Sequence, residues 1–218
     1  MELHTPNKKP DWELRPQDQS TLFQRTAKAS NGIITPGNFV SCLGLAIVAW
    51  GAARLYFGNW GLGVILIIIG RTLDIADGYV ADFTKTKSRT GEAVDTTCDK
   101  ATILIILTIT FATHTLSPVL LAIVFLHNLY TGIFGAIWGR RYHLHSSSVA
   151  KLTMLVGWTA IIIGLVGERF HQNFWIHSIS DLATVIYACF AIAAIISYHR
   201  ELYRVTRHLT VTEERSAA

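Results

Sequence analysis

Four aspartates, Asp74, Asp77, Asp95 and Asp99, stand beside or inside segments apolar enough to sit in a bilayer. They belong to the run Asp74-Ile75-Ala76-Asp77-Gly78-Tyr79-Val80-Ala81, followed by Gly91, Asp95 and Asp99. A carboxylate at membrane depth costs roughly 2.5–3.5 kcal/mol at a helix centre on insertion scales. Four of them on two successive helices need a shared cation or a chemical role. A helix brings residues three or four apart onto one face, which pairs Asp74 with Asp77 and Asp95 with Asp99. Where two such faces meet they form an all-oxygen pocket suited to hard divalent ions, Mg²⁺ or Mn²⁺. Phosphoryl-type transfer needs charge neutralised on nonbridging oxygens and an attacking hydroxyl held in line. A pair of divalent ions ~3.5–4 Å apart does both, and four carboxylates suit such a pair. That pocket is the expected active site.

The elements that must position it are membrane helices. The chain has 218 residues, half of them hydrophobic and only 16% charged. This composition excludes an ordinary soluble domain and fits a multispanning membrane protein. Six apolar stretches are readable, about Phe39–Phe57, Trp60–Ala81, Val94–Ala112, Pro118–Gly139, Val149–Val166 and Ile179–Ser197. Each has the ~17–25 residues of a spanning helix. Trp60, Trp138, Trp158, Trp175 and Tyr198 fall near several of their ends, where interfacial aromatics collect. The expectation is an all-α integral membrane protein with six transmembrane helices in one bundle. Residues 1–37 form an N-terminal segment, 38–199 the six-helix domain and 200–218 a basic tail. No cleavable signal peptide is visible. The stretch from Asp18 to Lys28 reads either as a short amphipathic helix on the membrane surface or as a simple tail.

Basic residues set the orientation. Lys8, Lys9, Arg15, Arg25 and Lys28, then Lys85, Lys87, Arg89 and Lys100, then Arg140, Arg141 and Lys151, and finally Arg200, Arg204, Arg207 and Arg215 fall on one side, against Arg54 and Arg169 on the other. Both termini and the aspartate pocket are therefore expected to face the cytoplasm, with the protein in the plasma membrane. This basic face would attract anionic headgroups and phosphorylated substrates. Cys42, Cys98 and Cys189 have no metal-ligand spacing and read as small packing residues. No nucleic-acid partner is expected.

The acid run resembles the CDP-alcohol phosphotransferase signature D-x2-D-G-x2-A-R-x8-G-x3-D-x3-D. Asp74, Asp77, Gly78, Ala81, Gly91, Asp95 and Asp99 match in register, seven of eight fixed positions over 26 residues. The resemblance implies transfer of a phosphatidyl group from a CDP-linked lipid, CDP-diacylglycerol, to a small alcohol with release of CMP. It implies that Asp74, Asp77 and Asp95 hold two divalent ions and that Asp99 is the general base, close to a metal as well. Asp99-Lys100 after Asp95 is similar to the ending of the motif in phosphatidylglycerophosphate synthases, although Thr96 and Cys98 replace a proline and an alanine. That favours glycerol 3-phosphate as acceptor; inositol phosphate and serine remain open. Members of this kind commonly form homodimers, which is the expectation here.

Other positions carry over in the same way. Thr35-Pro36-Gly37-Asn38-Phe39-Val40-Ser41 resembles the family segment T-P-N-x-x-T with one extra glycine, so Gly37, Asn38 and Ser41 are expected CDP-side contacts. Pro36 also reads as punctuation before a helix, with Asn38 as its N-cap. Gly78 lets a substrate approach the helix backbone closely, Gly91 serves packing or the same approach, and Ser88 resembles a nucleotide contact. Arg140, Arg141 and Lys151 lie in a loop similar to one ending G-K-x-x-T and would bind an acceptor phosphate. The chain departs from the family at Asp82, where an arginine is usual and is thought to contact the nucleotide. An anion there weakens pyrophosphate binding by electrostatics alone; Arg71, Lys85 and Arg89 are the nearby cations that would substitute. Two other readings of the same residues are a cation transporter using the carboxylates as a permeation site and an inactive family member.

Overall fold

The structure, a computed structural model, describes residues 21–139, 148–170 and 173–217, and these are helical with no strand among them. The helices are α1 (Leu22–Ala29), α2 (Pro36–Tyr56), α3 (Trp60–Phe83), α4 (Arg89–Thr113), α5 (Pro118–Phe134), α6 (Ser148–Arg169) and α7 (Phe174–Ala217). A π-helical turn, Gly135–Gly139, extends α5. Five of the long helices are apolar enough to cross a membrane, which marks this as a membrane protein. The sixth long helix, α3, has 24 residues, but Arg71, Asp74, Asp77 and Asp82 interrupt its apolar surface. The same residues that make α3 interesting chemically keep its C-terminal half from being purely apolar.

Helix starts follow from local chemistry. Thr35 caps α2, its hydroxyl accepting from the Asn38 amide at 3.1 Å, and Pro36 takes the first helical position, where no amide is needed. Asn38, expected as the cap, instead sits inside the first turn, because the fixed φ of Pro36 starts the helix three residues earlier, with Thr35 as its cap. Its side-chain amide donates back to the carbonyls of Gly32 (3.2 Å) and Ile33 (2.7 Å). Ser117 and Pro118 start α5 in the same way. Of the two readings offered for the stretch ending at Lys28, its described part is a helix. In α1 a capping box joins Thr21 and Gln24, Gln24 and Ala27 are buried, and Leu22 and Phe23 are exposed. At the other end α7 runs without a break through Ala217, so the basic segment after residue 199 continues the last apolar helix.

The chain forms two helical units that divide after Thr113. In the first, α2 packs along both α3 and α4. The α2–α3 crossing is close because glycines face each other's backbone. A Cβ at Gly70 would stand 2.7 Å from the Gly44 carbonyl, and one at Gly51 would stand 2.8 Å from that of Gly63. Small residues allow such approach where apolar burial supplies no drive between helices. In the second unit α6 and α7 pack together. Tyr187 packs against Gly157, where a Cβ would meet its ring at 2.7 Å. Its hydroxyl bonds His127 Nδ1 at 2.9 Å, and Thr153 donates across to the Phe190 carbonyl at 3.1 Å. The three cysteines are free, Cys98 buried and Cys42 and Cys189 exposed, so only Cys98 serves as an interior packing residue.

Candidate active site

The acids lie on the C-terminal half of α3 and the N-terminal half of α4. The turn between these helices is tight. The Thr86 amide bonds the Ala81 carbonyl at 3.0 Å, and Lys85 adopts a left-handed conformation with φ 54°. The Ser88 hydroxyl accepts from the Gly91 amide at 2.9 Å in the manner of an N-cap, and this sets where α4 begins. With the turn fixed, one carboxylate oxygen each from Asp74, Asp95 and Asp99 lies within 4.8 Å of the others. All three residues are partly buried. Three converging hard oxygens from two helices fit a divalent cation of the Mg²⁺ or Mn²⁺ type.

Asp77 completes the acid set differently. It is 6% exposed and accepts a hydrogen bond from the Ser41 hydroxyl of α2, which also lies 3.2 Å from the Gly37 carbonyl. Its carboxyl stands beside Asp95. The expected sharing of faces therefore brings Asp74, Asp95 and Asp99 together in one group, while Asp77 is turned toward α2. The spacing rule places two acids on one side of a helix; the neighbouring helix then decides which way each rotamer turns.

Arg71 is the member that sequence reasoning noted only as a nearby cation. It is buried, one turn before Asp74, and its Nη1 donates to Asp74 Oδ2 and to Asp99 Oδ1, each at 2.6 Å. It thereby links α3 to α4 through charge-assisted hydrogen bonds. The signal in the sequence was an arginine three residues ahead of an aspartate in an otherwise apolar run. Its bond to Asp99, 28 residues later, had no local signature.

The remaining expected site residues fall into three groups. Gly37, Asn38, Ser41, Ser88 and Gly91 cluster beside Asp77. A Cβ at Gly37 would sit 3.2 Å from the Asp77 carbonyl, and one at Gly91 would sit 3.1 Å from Asn38 Oδ1. Gly78 faces open space, with no described atom within 4 Å of where a Cβ would stand. Asp82 is exposed on the last turn of α3 and pairs with Lys87 at 2.8 Å. It lies 11 residues from Arg71 along one helix, about 16 Å at 1.5 Å per residue. Arg71 therefore occupies a different place from the arginine of the signature, and Lys87 is the cation that faces position 82. Lys151 is exposed in the first turns of α6, in the second unit. Arg140 and Arg141 lie outside the described residues.

The sequence profile of the CDP-alcohol phosphatidyltransferase family matches residues 34–198. The chain belongs to that family, whose members are transferases of substituted phosphate groups acting on a CDP-alcohol. No curated protein and no solved structure matches the chain. The acid cluster lies inside the matched region.

Proposed function

We propose that this protein transfers a phosphatidyl group from CDP-diacylglycerol to glycerol 3-phosphate, releasing CMP, in a reaction that depends on Mg²⁺ or Mn²⁺. The observation that carries this reading is the convergence of Asp74, Asp95 and Asp99 oxygens from two helices, with Asp77 beside them. Divalent ions bound there neutralise the pyrophosphate oxygens and make the reacting phosphorus more electrophilic. Asp74, Asp77 and Asp95 would hold those ions, with Asp99 close to a metal as well. Asp99, held by Arg71 through Oδ1, receives the acceptor hydroxyl's proton on its other oxygen. The hydroxyl oxygen bonds to the lipid-bearing phosphorus, the phosphoanhydride P–O bond breaks, and CMP leaves with the electron pair.

The residues around Asp77 support a nucleotide side. Gly37, Asn38, Ser41, Ser88 and Gly91 crowd one flank of the acids, and Gly78 leaves the adjoining helix face open. Asp82 sits at the rim of this region with its charge offset by Lys87, which favours a working enzyme over an inactive one. A buried arginine fixed between two of the acids also counts against a permeation site, since it would repel each passing cation. Lys151, Arg140 and Arg141 are the proposed acceptor-phosphate contacts. The cytoplasmic orientation rests on the distribution of basic residues, and the homodimer rests on the family.

Purified protein given CDP-diacylglycerol and Mg²⁺ or Mn²⁺ tests the proposal, with glycerol 3-phosphate, inositol phosphate and serine supplied separately. Metal-dependent CMP release with glycerol 3-phosphate is the expected result. Release with another acceptor alone would replace the headgroup, and release unaffected by chelation would remove the metals from the mechanism.

A further inference from the structure

We infer that Arg71 is a built-in cation that holds the acid cluster together when no divalent ion is bound and competes with that ion for Asp74 and Asp99. The inference rests on the metal-dependent reading above. One nitrogen, Nη1, bonds an oxygen on each of two acids from different helices, both at 2.6 Å. Those two acids supply two of the three converging oxygens. The guanidinium therefore lies against the groups a divalent ion would use.

Two consequences follow from charge. Four carboxylates gathered near one another and partly buried repel, and burying a charge is costly unless it is paired. Arg71 offsets part of that cost permanently, so the first unit can fold before any metal arrives. The same fixed positive charge repels an incoming dication and occupies lone pairs on two of its ligands. An ion drawn to those two acids meets the guanidinium there, and the bonds to Arg71 weaken as it binds. Removing Arg71 should accordingly act in opposite directions, weakening the metal-free fold and tightening metal binding. A merely structural arginine would weaken both.

The test uses the full chain in detergent or nanodiscs, comparing the natural protein with Arg71→Gln and Arg71→Lys. Mn²⁺ affinity is read by electron paramagnetic resonance of free Mn²⁺, and thermal unfolding is followed in chelator and in saturating Mn²⁺. Arg71→Gln is expected to bind Mn²⁺ at least about tenfold more tightly, because a +1 charge next to a +2 charge has been removed. Its Tm should fall in chelator and rise more steeply with Mn²⁺ than that of the natural protein. Arg71→Lys should lie between, since an ammonium keeps the charge but lacks the planar fork. If Arg71→Gln does not survive without metal, Arg71→Lys carries the comparison, together with Arg71→Gln purified in Mn²⁺ and titrated with a chelator of known affinity. Unchanged or weaker Mn²⁺ binding in both variants, with normal binding in the natural protein, overturns the inference alone. Absence of Mn²⁺ binding in the natural protein, alongside metal-independent CMP release, overturns the metal reading and this inference with it.

Discussion

The two helical units bury polar groups in contrasting ways. In the first unit the buried set includes charged side chains, Arg71 and Asp77, surrounded by Asp74, Asp95 and Asp99. In the second, the buried polar side chains among the described residues are threonines, Thr153 and Thr184, alongside the Tyr187 phenol. Their hydroxyls go to backbone carbonyls, Thr153 to Val149 at 2.8 Å and across to Phe190 at 3.1 Å, and Thr184 to Ser180 at 3.0 Å. Such bonds satisfy a neutral hydroxyl's donor with a backbone carbonyl. Charges in the first unit find side-chain partners, Asp77 with Ser41 and Arg71 with both Asp74 and Asp99. The second unit thus buries neutral groups, whereas the first also buries charge.

Substitutions that remove a charge from the first unit provide the sharpest break in this contrast. Asp99→Asn is expected to lower CMP release by ~10²–10⁴-fold, the range for a lost general base, with helical circular dichroism retained. Asp95→Asn should abolish transfer as well, and full activity in both variants would detach these acids from the reaction. Next in size is the α2–α3 crossing that holds the acids. A methyl group at Gly70 meets Val48 and the Gly44 carbonyl, so Gly70→Ala should cost about 1–3 kcal/mol of stability by overpacking, read from thermal unfolding. Activity should fall with it, because the same crossing carries Ser41 to Asp77.

Smaller effects belong to the second unit and to the rim. Tyr187→Phe deletes the bond to His127, and a loss of about 1 kcal/mol in stability is expected while transfer per folded molecule stays near normal. A large drop in turnover without loss of fold would tie the Tyr187–His127 pair to the chemistry. The smallest change is expected from Asp82→Arg, which restores the signature residue at an exposed position and should leave CMP release equal or higher. A collapse there would mean that the nucleotide side has been rebuilt around the Asp82–Lys87 pair.

Much of this was legible in the chain itself. The acid register, five of the six expected apolar spans and the proline-marked helix starts near Pro36 and Pro118 are all local patterns, set by helical periodicity and by proline's fixed φ. Asn38 shows where local reading slips. Asn38 and Thr35 are both good capping residues, and Pro36 decides between them. Asp82 shows another limit, since its departure from the signature was plain, but its pairing with Lys87 across the turn depended on the conformation of Lys85.

The sequence by itself determined the chemistry on offer: four carboxylates at helical spacing, in an apolar chain, matching one family's motif. Only the tertiary structure decided how that set divides, with Asp74, Asp95 and Asp99 converging, Asp77 drawn to Ser41, and Arg71 placed between two of the acids. The reason is geometric. A 3.6-residue period fixes which side chains share a face of one helix, but it carries nothing about the angle and depth at which a second helix crosses it. For α2 and α3 that geometry is set by glycines that let the two helices approach to backbone contact, which brings Ser41 to Asp77.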